Sequence, residues 1–249
     1  VLNDQEFMRY SRQLLLEDVG AEGQKKLAAA CVLLVGMGGL GSPAALYLAA
    51  AGVGKLLLAD SDELHISNLQ RQILYRTRDI SQPKAMLAQR QLQALNPTIT
   101  CVALNRRLEN GVLQQAVAKA DLILDCSDNM ATRHAVNAAC VAAEKTLISA
   151  SAVGLSGQLL VLTPPYAHGC YACLYPDASE PQRNCRTAGV LGPVVGVMGT
   201  LQALEAIKLL CGLPSPLNGK LRLFDARQHS WSTLQLTPSP TCPICGDHP

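Results

Sequence analysis

Aromatic residues are scarce: two Phe, six Tyr and one Trp make up 4% of the chain. Recognition of single-stranded nucleic acid relies on aromatic faces for base stacking, so that class has no support here. Charge is thin as well. Charged residues are 16% of the total, the formal net charge is +2, and there is no basic run. The electrostatic footprint of a DNA-binding or anionic-membrane-binding protein is therefore missing. No apolar stretch reaches the roughly 18 uninterrupted residues of a membrane span. The most apolar segment, residues 190–213, is interrupted by Glu205 and Lys208 and reads as a buried helix. The opening residues Val1 to Glu6 are polar and mixed, unlike a secretory signal. Gly/Ser linkers and internal repeats are lacking too. The expectation is a cytoplasmic globular chain of 249 residues, whose 49% hydrophobic content is enough for a sizeable core.

Cysteine, by contrast, is abundant, with ten in a chain expected in a reducing compartment. Four form two pairs of CxxC spacing, Cys170/Cys173 and Cys242/Cys245. Two such pairs suit a tetrahedral Zn²⁺ with four thiolate ligands; a closed set of this kind leaves no position for catalysis. Their wide separation makes the site a staple between distant segments. Cys31, Cys101, Cys126, Cys140 and Cys211 fall within apolar patterns and read as small buried hydrophobes. Cys185 differs. It lies in the polar stretch 180–189, expected to be an exposed loop, between Arg183 and Arg186. Flanking guanidinium groups favour the nucleophilic thiolate, although an incidental loop cysteine would look the same.

Residues 31–72 carry the densest pattern. The apolar run 31–35 ends in Gly36-Met37-Gly38-Gly39-Leu40-Gly41, a helical pattern follows to Gly52, and a second apolar run, 55–59, ends at Asp60. Strand, glycine turn, helix, strand and acid form the opening unit of a nucleotide-binding α/β sheet. Gly36, Gly38, Gly39 and Gly41 let a phosphate approach the backbone, and the helix beginning near Ser42 offers free amides and a positive dipole end. Asp60, about 20 residues past the loop, is placed to accept from a ribose hydroxyl. The run Ser67-Asn68-Leu69-Gln70-Arg71-Gln72 supplies polar groups suited to polyphosphate. A polar surface turn explains its glutamines equally well.

A second cluster, Asp125-Cys126-Ser127-Asp128-Asn129, ends the fourth predicted strand, at the carboxyl edge where open α/β sheets bind ligands. Asp128 there suits Mg²⁺ held against nucleotide phosphates, with helix N-capping as the other reading. Asp125 stays unassigned. Lys84, after Pro83 at a predicted helix start, could reach the same phosphates; alone it would read as a surface lysine.

Strands are predicted over 31–35, 55–59, 99–104, 121–125 and 146–150, with helices over 42–51, 83–95, 110–119 and 129–143. Residues 3–29 read as short helices with Arg9, Arg12, Lys25 and Lys26 on polar faces. Beyond residue 150, strands are predicted over 158–163, 220–225 and 231–236, with a long helix near 193–211 opened by Pro193. The fold class is α/β: a Rossmann-like, mostly parallel nucleotide-binding sheet, extended by antiparallel C-terminal strands and stapled by zinc.

Together these residues resemble the family that activates ubiquitin-like proteins in its bacterial form, ThiF and MoeB. The resemblance spans essentially the whole chain and rests on Arg9-Tyr10-Ser11-Arg12-Gln13, the Gly36–Gly41 loop, Asp60, Ser67 to Gln72, Lys84, Asp125 to Asn129 and both CxxC pairs. The stretches Asn184 to Val190 and Gly196 to Lys208 look like the ThiF branch. The resemblance implies ATP·Mg²⁺-dependent adenylation of the C-terminal Gly-Gly carboxylate of a small ubiquitin-like sulfur carrier. It further implies that Gly39 and Asp60 seat the nucleotide, Arg71 and Lys84 neutralise phosphate, and Asp128 holds Mg²⁺. Arg12 would reach the site of a second subunit, making a homodimer. Cys185 matches the crossover-loop cysteine that the ThiF branch uses in sulfur transfer, with sulfur from a donor protein. One domain over 1–249 follows, with a nucleotide-binding half (1–150) and a carrier-binding, zinc-holding half (151–249). Three alternatives remain: a MoeB-type enzyme acting on the small subunit of molybdopterin synthase, an NAD-dependent oxidoreductase using the same glycine loop, and an adaptor that binds carrier without turnover.

Overall fold

The computed structural model describes residues 2–246. Three short helices open the chain: α1 (Asp4–Arg9), α2 (Ser11–Leu14) and α3 (Gly20–Ala29). Strand and helix then alternate through β1 (Cys31–Val35), α4 (Gly41–Ala51), β2 (Lys55–Ala59), α5 (Lys84–Leu95), β3 (Thr100–Leu104), α6 (Asn110–Lys119), β4 (Leu122–Asp125) and α7 (Met130–Ala143). The hairpin β5 (Thr146–Val153) and β6 (Ser156–Leu162) follows. Next come the short helices α8 (Tyr171–Leu174) and α9 (Cys185–Ala188), the long α10 (Gly192–Leu210), and strands β7 (Lys220–Asp225) and β8 (Ser230–Gln235).

All eight strands form one sheet in the order β3-β2-β1-β4-β5-β6-β7-β8. The first five pair in parallel and the last three are added antiparallel, as expected. Strand β1 explains why the sequence reads as a continuous apolar run: helices cover both faces of the sheet, so both sets of its alternating side chains are buried. Val32 and Leu34 join one core with α4, α5 and α10, while Leu33 and Val35 join the other with α6, α7 and α8. Each fully buried leucine contributes about 1.5–3 kcal/mol, so this central strand fixes the register of its neighbours.

Several boundaries differ from expectation. Helix α10 begins at Gly192, leaving Pro193 as its second residue, still within the turn where its missing N–H costs nothing. By length and composition alone α10 could cross a membrane. In the fold it lies across β5, β6 and α4, burying Val194, Met198, Gln202 and Ala206. It is not buried all round, because Val197 and Leu204 face outward. Cys31 is only half-buried, whereas Cys101, Cys126, Cys140 and Cys211 are buried. The stretch 180–189 is not wholly irregular, since it contains α9. At the N-terminus, α1, α2 and the turn after them leave Phe7, Met8, Leu15 and Leu16 exposed.

Candidate active site

In this order successive strands are added on one side of β1 up to β3 and on the other from β4, which opens a crevice at the carboxyl ends of β1 and β4. A cavity of about 670 Å³ occupies that place. Its wall takes Gly36, Gly38, Gly39 and Leu40 from the end of β1, Asp60 and Asp62 from β2, Arg106 and Arg107 from β3, Ser127 to Met130 from β4, and Ser151 to Val153 from β5.

The glycine loop is tight for a steric reason. Gly36 has φ of 100°, and a Cβ there would stand 2.6 Å from the Cys126 carbonyl oxygen. A Cβ on Gly41 would meet the Gly36 carbonyl oxygen at 2.2 Å, so the loop closes directly onto the first turn of α4. Fully buried Met37 anchors its middle. The Met37 N–H donates to Asp60 Oδ2 at 2.8 Å, and the Tyr75 hydroxyl donates to the Met37 carbonyl at 2.6 Å. Asp60 Oδ1 accepts the Asp62 N–H at 2.8 Å. Burial raises the Asp60 carboxyl above its ordinary value, opposed by these two amides and by the charge of Lys84.

Lys84 opens α5 and is 5% exposed, so it is no surface lysine. Among the described residues its ammonium has no hydrogen-bond acceptor and no ion-pair partner within 4 Å. A buried cation with no carboxylate within ion-pairing distance, in a cavity rimmed by free amides, fits an anionic ligand. Arg71 reaches the same cavity, steadied by the Ser67 carbonyl at 3.1 Å and Gln70 Oε1 at 2.6 Å. Ser67, Asn68 and Gln70 do not line it. Asn68 Oδ1 accepts the His65 N–H at 2.8 Å to close the short 3₁₀ turn Ile66–Asn68, and the Ser67 hydroxyl lies 2.8 Å from His65 Nδ1. Gln72 departs from the surface-turn reading: it is 3% exposed and lines the cavity.

At the end of β4, buried Asp125 turns inward, and its Oδ1 accepts the Ser127 hydroxyl at 2.6 Å and N–H at 3.0 Å. Asp128 faces the cavity and is not the helix cap. That role belongs to Asn129, whose Oδ1 accepts the Thr132 N–H at 2.8 Å. The Cys126 thiol is driven up by burial and donates to Gln202 Oε1 at 3.4 Å, which leaves it inert. The segment 180–186 covers the cavity from the opposite side. Glu180 Oε1 accepts the Met130 N–H at 2.5 Å, and an Arg186 nitrogen lies 3.9 Å from Asp128 Oδ2. Cys185, half-buried at the first position of α9, lines the cavity behind an Asn184 cap. Arg12 is exposed on α2 and does not line the cavity of its own chain.

Sequence reasoning missed Arg106, Arg107 and Arg133. The first two directly follow β3, so the edge rule that marks Asp60 and Asp128 would have marked them. Arg133 is buried on α7. It donates to the Ser127 carbonyl at 2.5 Å and the Ala150 carbonyl at 2.9 Å, tying the ends of β4 and β5 together.

The four paired cysteines converge away from this cavity. Their sulfurs all lie within 4.8 Å of one another, with Cys170 to Cys242 at 3.8 Å and Cys173 to Cys245 at 3.4 Å. Four thiolates about 2.3 Å from a common tetrahedral centre would be spaced in this range. The Asn137 amide donates to Cys170 Sγ at 3.4 Å and the Ser239 N–H to Cys173 Sγ at 3.4 Å, the outer contacts typical of a metal cluster.

The ThiF family model matches residues 10–244. The chain belongs to the ThiF family. The sulfur carrier protein ThiS adenylyltransferase of Escherichia coli K12 is 61% identical over 245 residues, 98% of this chain and 97% of that protein. The molybdopterin-synthase adenylyltransferase of the same organism is 42% identical over 98% of both. Among solved structures, E. coli MccB with ATP matches with a TM-score of 0.82 at 25% identity, covering 98% of this chain and 75% of that one.

Proposed function

We propose that this enzyme adenylates the C-terminal Gly-Gly carboxylate of a small ubiquitin-like sulfur carrier of the ThiS type. A carboxylate oxygen attacks the α-phosphorus of ATP, pyrophosphate leaves, and the carrier acyl-adenylate remains. The observation that carries the nucleotide assignment is the buried, unpaired Lys84 facing the glycine loop. The carrier class rests on the 61% identity to a ThiS adenylyltransferase over nearly the full length of both proteins. Family membership sets aside the oxidoreductase reading.

The chain's own groups do the positioning and charge neutralisation that this chemistry needs. Amides of the glycine loop and of the start of α4 bind phosphate, with Gly39 and Asp60 seating the nucleotide. Ser67, Asn68 and Gln70 frame the turn that presents Arg71, which acts with Lys84 on the phosphate charge. Asp128, with Asn129 beside it, would hold Mg²⁺; when bound, the ion supplies further neutralisation of the phosphates. Arg12 from a second copy would complete the site. The exposed Phe7, Met8, Leu15 and Leu16 around it support such a homodimer.

Cys185 acts after adenylation. A persulfide on a sulfur-donor protein displaces AMP from the acyl carbonyl, giving an acyl disulfide. The Cys185 thiolate takes this over by thiol–disulfide exchange, freeing the donor thiol, and a reducing dithiol, itself oxidised to a disulfide, then releases the thiocarboxylate and restores the Cys185 thiol. The residues Cys170, Cys173, Cys242 and Cys245 would hold Zn²⁺, which when bound supplies a cross-link. All ten cysteines are free thiols, which supports a cytoplasmic setting.

ATP–pyrophosphate exchange with Mg²⁺, run in parallel with the thiamin-pathway and molybdopterin-pathway carriers, tests this reading. Exchange with the thiamin carrier, reduced about a hundred-fold or more by Asp128→Asn, is the expected result. Exchange with the other carrier alone would move the enzyme to the molybdopterin pathway, and none with either would leave the adaptor reading.

A further inference from the structure

The segment 176–188 is braced within itself but lightly tied to the rest of the protein. Asn184 Oδ1 accepts the Arg186 N–H at 3.0 Å and the Thr187 N–H at 3.2 Å, and the Asn184 amide donates to the Pro181 carbonyl at 3.2 Å. The Thr187 hydroxyl donates to the Gln182 carbonyl at 2.8 Å. Just past the segment the chain is fixed again, where the Gly154 N–H donates to the Gly189 carbonyl at 2.8 Å. Among the described residues, one hydrogen bond and one ion pair join 176–188 to the body of the fold. Glu180 Oε1 accepts the Met130 N–H, and an Arg186 nitrogen lies 3.9 Å from Asp128 Oδ2. Both fastenings land at one place, on either side of the Asn129 cap of α7. The ion pair has side chains 82% and 61% exposed, so it is weak and readily exchanged.

Asp128 cannot serve two cations at once. It is the residue proposed to hold Mg²⁺, and a divalent ion on its carboxylate repels the guanidinium of Arg186. Half-buried Cys185 sits between the Asn184 cap and Arg186 and lines the cavity. Release of Arg186 therefore loosens the braced block that carries the thiol.

We propose that Glu180 and Arg186 form a two-point latch, which closes the segment over the cavity in the nucleotide-free enzyme and is undone when Asp128 takes the nucleotide's Mg²⁺. The proposal rests on the adenylation reading and adds a coupling to it. Filling the nucleotide end of the cavity frees the segment that bears Cys185 and clears the way for a carrier tail. Because Arg186 competes with the ion for Asp128, the closed form lowers the apparent affinity for ATP·Mg²⁺ by the fraction of molecules that are latched.

The test compares wild type with Glu180→Ala and Arg186→Gln, both changes at exposed positions that leave the core untouched. Alkylation of Cys185 by iodoacetamide is followed in the free proteins by peptide mass spectrometry, and ATP·Mg²⁺ is titrated calorimetrically without carrier. Both variants should alkylate Cys185 about three-fold faster and bind ATP·Mg²⁺ about three-fold more tightly. The substitutions change local charge in opposite directions, so a rise common to both marks opening rather than an altered thiolate fraction. Faster alkylation in Glu180→Ala with slower alkylation in Arg186→Gln would reduce the effect to charge and overturn the latch. Weaker ATP·Mg²⁺ binding by Arg186→Gln would make Arg186 a ligand contact, which also overturns it. Wild type that binds no ATP·Mg²⁺ would overturn the adenylation reading itself, whereas normal wild-type binding with unchanged alkylation in both variants would overturn the latch alone.

Discussion

The Asp60 carboxylate at the end of β2 accepts the Met37 N–H from the middle of the glycine loop at 2.8 Å. The residue proposed to seat the nucleotide therefore also holds the loop in place. Asp60→Ala should remove acceptors for two amides, destabilising the fold by about 1–3 kcal/mol and raising the KM for ATP. Asp60→Asn, which keeps one carbonyl oxygen, should recover part of the stability. Urea unfolding midpoints alongside ATP saturation curves for the two variants check this; equal stability of both with wild type would leave the loop anchored by other contacts.

Cys185 sits on the segment that covers the cavity, at the start of a one-turn helix whose cap is made by Asn184. Serine fits the same position without disturbing that cap. Cys185→Ser should keep pyrophosphate exchange within about two-fold of wild type, because adenylation uses electrostatic contacts rather than the thiol. It should fail to yield carrier thiocarboxylate when a sulfur donor is supplied, as mass spectrometry of the carrier would show. Normal thiocarboxylate formation would take the thiol out of the mechanism.

The cysteine cluster joins α8 to the C-terminal segment, so metal loss should be felt as lost stability. One Zn²⁺ per chain is expected by elemental analysis. Cys245→Ser should reduce that content and lower the melting temperature, as should a strong chelator. In the metal-free form, hydrogen bonds from the Cys245 and Ile244 amides and the nearby thiols outweigh burial and bring the Cys242 thiol down to about 7. A melting temperature indifferent to chelation would mean that the cluster is a set of packed thiols.

His134 lies half-buried on α7, edge-on to Tyr171 at 5.4 Å, with Nε2 buried and unbonded. Burial lowers its basicity below the ordinary value of 6.5, although Asp177 pulls the other way. Below that value the unfolded chain takes up a proton that the folded chain refuses, so stability falls as pH drops from 6.5 toward the folded-state value and then levels off. His134→Leu should lack this increment. Unfolding midpoints of both proteins on either side of 6.5 measure it, and parallel pH profiles would show that His134 does not contribute.

The sheet was legible because its signals are local. The run 31–35 is apolar at every position since both its faces are covered, and Gly36 and Asp60 mark the ends of two neighbouring strands. The CxxC pairs were legible for the same reason, since each knuckle is a four-residue pattern. The choice between Asp128 and Asn129 as helix cap was not, because either residue type can cap and only backbone geometry selects Asn129. Gln72 was misread as a surface residue because five of the six residues 67–72 are polar and look alike. Which of them turns inward depends on how the 3₁₀ turn at 66–68 is laid against the glycine loop. Arg133 escaped notice because nothing local shows that it turns inward to the Ser127 carbonyl and to the Ala150 carbonyl on β5.

By itself the sequence determined the strand–helix alternation, the carboxyl-edge residues and the paired thiols, since each depends on neighbours within a few positions. Only the tertiary structure decided that the segment 180–186 covers the cavity, that Lys84 is buried with no ion-pair partner within 4 Å, and that four sulfurs from the two ends of the C-terminal half meet within 4.8 Å. Those facts depend on how distant segments pack, and long-range packing leaves no periodic trace in the chain.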